Sequence, residues 1–461
     1  MAEFNEGSAA QHGGPEGEEP PAAAPAGVGP GKATAKGKQD PARPEQQPYS
    51  DEALLLTDAP VPGRARPLAP AHKPAADLGA VWVETITTAD QLAAIAGACE
   101  ELAAAAIEPN PFYEPWMLVS ALRSFGAGRD LELVLVWGPH PSRRKGERQL
   151  LGLFPIEWRQ VGPVRVAQLW RYRYCYLCTP HLRAGAGQAA LASFFDWVQA
   201  KAALLRLPEI AGDGEFHDLL VDELNRRKWP SQVSAWYTRA LLKAAPSGED
   251  YLERALAGKR RKELRRQKSR LSEQGQLDLC DLGPGDDLKP WLNDFVTLEA
   301  AGWKGRDAVA VQSREADLRW FAEMSVEALR RGRLMMLGLK LDGRPIALKY
   351  NLLAGEGSFA FKIAYDETWA RFSPGVLLEL ENVQRVHDRK ALRWMDSCAA
   401  PNRFMINHLW TERRPIQTLF IAPGGRRKSL LLALLPLARW ARALVRPNPP
   451  PRPQRRSDDA T

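Results

Sequence analysis

Apolar and polar residues alternate along three successive stretches, 333–341, 345–353 and 358–364. A period of two predicts half-buried strands. Asp342-Gly343 joins the first pair and favours the positive φ angles of a tight hairpin turn. A second turn, between Ala354 and Gly357, joins the next pair. Beyond them Ser373-Pro374-Gly375 closes a short polar loop, after which Val376, Leu380, Val383 and Val386 or His387 recur at helical spacing. Residues 392–396 then read as a buried strand. A strand that ends in a Gly-containing loop opening a helix offers backbone N–H groups and a positive helix end to an anion such as a pyrophosphate. Pro374 suits the first helical position, although it removes one donor, and Gly375 permits close approach to the backbone. An ordinary strand-to-helix connection would show the same residues.

The same order occurs earlier in the chain. A strand at 81–86 precedes a helix at 89–106, capped by Thr88 or Asp90, and a turn at 110–116 leads into a helix ending near Phe125. Residues 131–136 and 149–157 form an expected antiparallel pair joined by a basic loop, 143–148. A strand at 164–170, an aromatic run at 172–177, a helix at 189–205, a strand from Ile210, a helix at 216–227 and a strand at 233–242 complete this unit. The second unit opens with a long charged helix, 251–273, and a strand, 277–282. Helices at 287–301, ending at Gly302, and 315–331 lead into the hairpins. Both units give helices, then a hairpin, then strand-helix-strand, which suggests duplication. The expected class is α+β: two fused halves, each a mixed, mostly antiparallel sheet flanked by helices, with a basic helical arm.

Composition changes the picture at the ends. Residues 1–77 are dominated by Ala, Gly, Pro, Gln, Glu and Lys, too little apolar surface to offset ordering entropy, and 447–461 are Pro- and Arg-rich. Both read as disordered tails around halves at 78–246 and 247–425. The net charge of +8 is concentrated: residues 259–270 carry +7 and residues from Arg426 onward another +7, leaving the remainder acidic. The five cysteines form no disulfide framework, and Glu3 and Glu6 with no apolar run after them do not read as an export signal. With no long charge-free apolar stretch, a cytoplasmic protein is expected. Residues 429–445 are apolar with Arg439 and Arg442 among them, too short and too charged to span a bilayer. They suit either peripheral contact with an anionic membrane or packing on the body of the protein.

Several separated motifs carry a resemblance. GKRRKELRRQKSRL in the basic helix, LEAAGWKGR at 298–306, the hairpin RPIALKYNL, FKIAYDETWARFSPGVLL at 361–378 and RWMDSCA at 393–399 before HLWTERR occur in one order. In them the chain resembles the Fem-like branch of the GNAT acyltransferase superfamily, in particular the cellulose-biosynthesis-associated (CelD-like) acetyltransferases, over roughly residues 80–425. The resemblance implies a sheet split by a V-shaped opening that holds coenzyme A, with acyl-CoA (acetyl-CoA) as co-substrate. It also implies an amine acceptor, a small molecule or glycan precursor linked to exopolysaccharide or envelope synthesis. The superfamily's pyrophosphate loop is usually Arg/Gln-x-x-Gly-x-Gly/Ala. Here the sequence from Arg371 is RFSPGVLL, with one glycine displaced, so Arg371, Ser373, Gly375 and Val376 are the expected donor contacts. Fem-like relatives also take aminoacyl-tRNA, so tRNA stays open as donor, as does a non-enzymatic accessory role.

Amide formation needs a neutral amine, a polarised acyl carbonyl and a proton for the leaving thiolate. Within the family-like segments, Glu299 is the expected general base or amine anchor, with Trp303 on the same helix face and Lys304 beside it. Glu299 as a solvated helix residue and Trp303 as a core anchor is the plainer alternative. Asp366 and Asp396, at strand ends, are expected to meet a cationic acceptor or to cap turns. Lys349 and Lys362 sit on paired strands, facing an anion or solvent. Tyr365 stands next to the donor loop, placed to protonate a thiolate or to pack on the helix. His408 is an outside candidate. Cys175-x-x-Cys178 with His181 gives only three potential zinc ligands where a closed site needs four, so no metal is expected. The basic helix is read as an arm for the phosphates of coenzyme A or an anionic acceptor, with tRNA the alternative, since it lacks aromatics interleaved for base stacking.

Overall fold

The computed structural model describes residues 80–141, 147–401 and 404–445. The expected tails and most of the basic loop at 143–148 lie outside the described residues. The first half runs β1 (Trp82–Ile86), α1 (Ala89–Ala94), α2 (Ala96–Ala104), α3 (Pro115–Phe125), β2 (Leu131–Pro139), β3 (Arg148–Val161), β4 (Val164–Leu169), β5 (His181–Leu182), α4 (Gly187–Lys201), β6 (Leu204–Ala211), α5 (Glu215–Arg227) and β7 (Ser231–Lys243). The second runs α6 (Gly248–Ala255), α7 (Gly258–Ser272), β8 (Leu277–Asp281), α8 (Leu288–Ala301), α9 (Trp303–Arg306), α10 (Glu315–Arg330), β9 (Leu334–Leu341), β10 (Arg344–Ala354), β11 (Gly357–Tyr365), α11 (Pro374–Asp388), β12 (Trp394–Asp396), α12 (Phe404–Leu409), β13 (Glu412–Ile421) and α13 (Arg426–Val445).

Most of these elements follow from local pattern. Asp342 (φ 48°) and Gly343 (φ 76°) both adopt the left-handed conformation that their turn requires. Thr88 caps α1 through a reciprocal bond with Gln91, a capping box. Three expected helices differ. The helix at 89–106 breaks at Ile95, where Leu92 and Cys99 on either side both enter the core. The long charged helix at 251–273 is two helices, because Leu256 takes an extended conformation to bury itself beside Tyr251 and Leu264. The helix at 189–205 stops at Lys201, and Leu204–Ala211 forms a central strand instead.

One continuous sheet joins both halves in the order β1-β2-β3-β4-β6-β13-β7-β12-β11-β10-β9-β8, with β5 paired to β3. All pairings are antiparallel except β4 with β6 and β11 with β12. The order reads the same outward from its centre, as duplication predicts, but the last strand of each half is exchanged: β13 lies beside β6 and β7 beside β12. Since β7 and β13 pair along most of their length, neither half completes its sheet alone.

Both parallel pairings are short, three residue pairs each. β11 meets β12 only from Gly357 to Phe359, so its remaining residues to Tyr365 run on without that neighbour. The aromatic run enters this opening from the first half. Tyr174 and Tyr176 rest 6.2 and 5.7 Å from the Phe361 ring, and Phe112 meets Tyr176, Phe359 and Phe361. Edge-to-face and tilted contacts of this kind fix rings firmly. The opening is thus walled by both halves.

Candidate active site

The loop expected to meet the donor begins at Asp366, whose Oδ1 accepts from the Thr368 amide at 2.9 Å and hydroxyl at 2.7 Å. This caps the short 3-10 turn Glu367–Phe372. Asp366 therefore takes the capping role through this oxygen. Ser373 then turns left-handed, at φ 54°, to start α11 at Pro374. Its carbonyl accepts from the Val376 and Leu377 amides at 2.9 and 3.0 Å. Pro374 has no N–H, so Gly375 is the first-turn residue whose amide is not drawn back onto Ser373. A Cβ on Gly375 would sit 3.2 Å from Tyr365 Cδ1, which shows how closely the tyrosine ring covers the loop. Arg371 is exposed, its guanidinium 4.6 Å over the Phe372 ring. Arg270 at the end of α7, Glu273 and Gln274 just after it, and Arg371 and Phe372 of the loop line one recess. The basic arm and the loop thus face a common space, with α7 held down by a 2.7 Å Lys268–Glu381 ion pair to α11.

Beside the loop, Glu299 is 2% exposed. Its Oε1 accepts from Lys362 Nζ at 2.8 Å and Lys304 Nζ at 3.0 Å, and its Oε2 from the Val311 amide at 2.8 Å. Burial alone would push its pKa up, but Lys362 and then Lys304 outweigh that and hold it at about 2. A carboxylate so engaged is a poor proton acceptor. Lys304 also donates to the Ile363 carbonyl at 2.9 Å, on the stretch of β11 that has left β12. A bulge brings Lys362 here. Ala360 and Phe361 together oppose Asn351 between the Tyr350–Lys362 and Leu352–Phe359 pairs. The flanking amide of Trp303 donates to Glu367 Oε1 at 2.8 Å, tying α9 to the donor turn.

Arg173 and Tyr174 of the first half join Trp320 and Asp317 of α10 in a second cluster on the same wall. Lys362 Nζ lies 5.2 Å over the Tyr174 ring, which stacks on Trp320 at 4.6 Å. Tyr174 donates to Asp317 Oδ2 at 3.0 Å, and Arg173 Nε pairs with the same oxygen at 3.0 Å. Burial first, then the Asp317 charge, pushes the Tyr174 pKa up. Sequence reading did not single out Arg173, Tyr174 or Asp317, because the contact between the first half's aromatic run and α10 is made only in the fold.

Two expected site residues lie elsewhere. Asp396 is wholly buried in the central seam, where Arg239 engages both of its oxygens at 2.7 Å and Arg414 one at 3.0 Å. Burial would raise its pKa, but the coulombic pull of Arg239 and Arg414 lowers it. Its charge joins β12 to β7 and β13 and is closed to an acceptor. Lys349 is likewise buried under α11, paired with Glu379 at 2.7 Å, and Asn382 donates to the other Glu379 oxygen at 2.8 Å. His408 is exposed near the end of α12. The Cys175 and Cys178 sulfurs are 3.7 Å apart and buried, whereas His181 turns its Nε2 to the Asn110 carbonyl at 2.9 Å. Among the described residues no group of His, Cys, Asp and Glu is arranged to hold a metal ion.

The fold is similar to that of solved structures. FemX aligns over 76% of this chain and 100% of its own at 10% identity, with a TM-score of 0.49. The C-terminal domain of a putative lysylphosphatidylglycerol synthetase from Agrobacterium fabrum covers 75% and 97% at 12% identity, TM-score 0.44. A tandem GNAT protein from the clavulanic acid biosynthesis pathway covers 74% and 99% at 14% identity, TM-score 0.36. No curated protein matches the chain by sequence. Residues 258–404 match the family model of the acetyltransferase (GNAT) domain, a span that includes α7, the separating strands, the donor loop and α11. Over these residues the second half of this chain is therefore similar to a GNAT-type acetyltransferase domain.

Proposed function

We propose that the second half transfers an acyl group, in the simplest case acetyl, from acyl-CoA to the amine of a small molecule or glycan precursor. The amine nitrogen attacks the thioester carbonyl, the C–S bond breaks, the thiolate gains a proton and the nitrogen loses one. The observation that carries this reading is the opening beside β11, flanked by the donor loop, within the matched domain. Arg371, Ser373, Gly375 and Val376 are the proposed donor contacts, with Arg270 supplying further positive charge across the recess it shares with Arg371. Tyr365, against Gly375, is the proposed proton donor to the thiolate. Glu299 acts as a positioning residue that fixes Lys304 and Lys362 on the acceptor side, near Trp303. The test is calorimetric titration with acetyl-CoA and coenzyme A at constant ionic strength. Saturable binding weakened by Arg371→Ala supports the reading, and no binding of either ligand removes it.

One observation favours a second donor, aminoacyl-tRNA. Pro374 lacks an N–H and the Val376 and Leu377 amides bond the Ser373 carbonyl, which makes a weak pyrophosphate cradle, while α7 exposes most of a strongly basic surface. Saturable tRNA binding that weakens steeply with salt would support that donor.

A further inference from the structure

Helix α13 has two unlike sides. Leu432 is buried, and with Leu431 and Leu435 it packs on Val164, Val166, Leu204 and Phe420. Leu430, Leu434 and Leu437 point away, 61%, 45% and 58% exposed. Their spacing of four and three places them in one row on an α-helix. Arg426 and Arg427, both exposed, stand at the head of that row. Three large apolar side chains held out beside two cations form a surface with a directional demand. It needs a partner that is apolar beneath and negatively charged above.

Two occupants match a leucine row. A second copy of the helix would use it as a coiled-coil seam, yet such seams are selected by opposite charges flanking the row and sustained over several heptads. The sequence of α13 contains Arg426, Arg427, Lys428, Arg439 and Arg442 with no acidic residue, and Pro436 stands within it. Pairing two copies would bring like charge against like charge. An anionic bilayer surface has the opposite sign and takes a short apolar row to the depth of the acyl boundary. No helix among the described residues is long and apolar enough to cross a membrane, so the contact would be in the plane of the surface.

We infer that α13 docks the protein on an anionic lipid surface through Leu430, Leu434 and Leu437, with Arg426 and Arg427 at the headgroups. Leu431, Leu432 and Leu435 keep the helix fastened to the sheet meanwhile, so docking needs no rearrangement of the body. The inference is independent of the acyl donor. It is tested by flotation of the full chain with vesicles of phosphatidylcholine alone and of phosphatidylcholine with phosphatidylglycerol. Binding is expected with the mixed vesicles only, and released by salt. Replacing both arginines, Arg426→Gln with Arg427→Gln, should weaken partitioning roughly thirtyfold, at the worth of one charge near such a surface for each. The triple change Leu430→Ser, Leu434→Ser, Leu437→Ser should abolish it with the thermal midpoint unchanged, because these side chains leave the core untouched. Equal binding to neutral vesicles, no binding to either, or indifference to the arginine pair would overturn the proposal. So would a wild-type dimer in sedimentation that the triple change dissociates.

Discussion

Replacing Glu299 by Gln keeps the shape of the side chain and removes its charge. Two ammonium groups then lose their counter-ion, and Lys362 has a side chain only 7% exposed. The magnitude follows from the carboxyl's own titration. Its pKa falls from an ordinary 4.5 to about 2 in the folded protein. A depressed pKa contributes stability that is present above the unfolded value and lost as pH falls through the folded one. The window is therefore pH 4.5 down to about 2. At 1.36 kcal/mol per unit the ionised group contributes about 3 kcal/mol at neutral pH. The assay is urea unfolding followed by circular dichroism, for wild type and Glu299→Gln, at a series of pH values. The stability difference should be about 3 kcal/mol at pH 7 and shrink toward zero below pH 3. Subtracting the variant cancels other titrating carboxylates, Asp396 among them. Adding Lys362→Met should recover part of the loss, because the pair is coupled. A pH-independent difference, or none at pH 7, would refute the assignment of Glu299 as a locked anion and return it to the role of a free base.

Asp396→Asn should cost about 3 to 5 kcal/mol, since it leaves Arg239 and Arg414 buried without their counter-charge; the urea midpoint reads this. Tyr365→Phe should lower kcat at least tenfold while leaving acetyl-CoA affinity unchanged, as loss of a proton donor does, and a change confined to affinity would count against it. Gly343→Ala should destabilise by roughly 1 kcal/mol, because an L side chain must then take its left-handed φ, and thermal unfolding checks this. Arg270→Ala and Arg371→Ala should each weaken acetyl-CoA binding and together flatten its salt dependence, measured by titration at two ionic strengths.

Local features were legible in the sequence because neighbouring residues decide them. The Asp342-Gly343 turn, the alternation of β9 to β11 and the apolar spacing of α11 depend on backbone sterics and on which face meets the core, and the chain carries both. So did the duplicated order of elements, from which two halves follow. Where adjacent apolar residues continued past a true end, as at Leu204 and Leu205, periodicity could not separate helix from buried strand. Charges were the least legible. Asp396 and Lys349 stand at strand positions where an exposed site would also place them, and their sequence does not say whether a partner waits. The tertiary structure decides that by bringing Arg239 to Asp396 across the exchanged strands and Glu379 to Lys349 under α11. Sequence determined the elements and the superfamily-like motifs. Only the tertiary structure decided which charges face one another, because a buried charge must find its counter-ion through the fold and not along the chain.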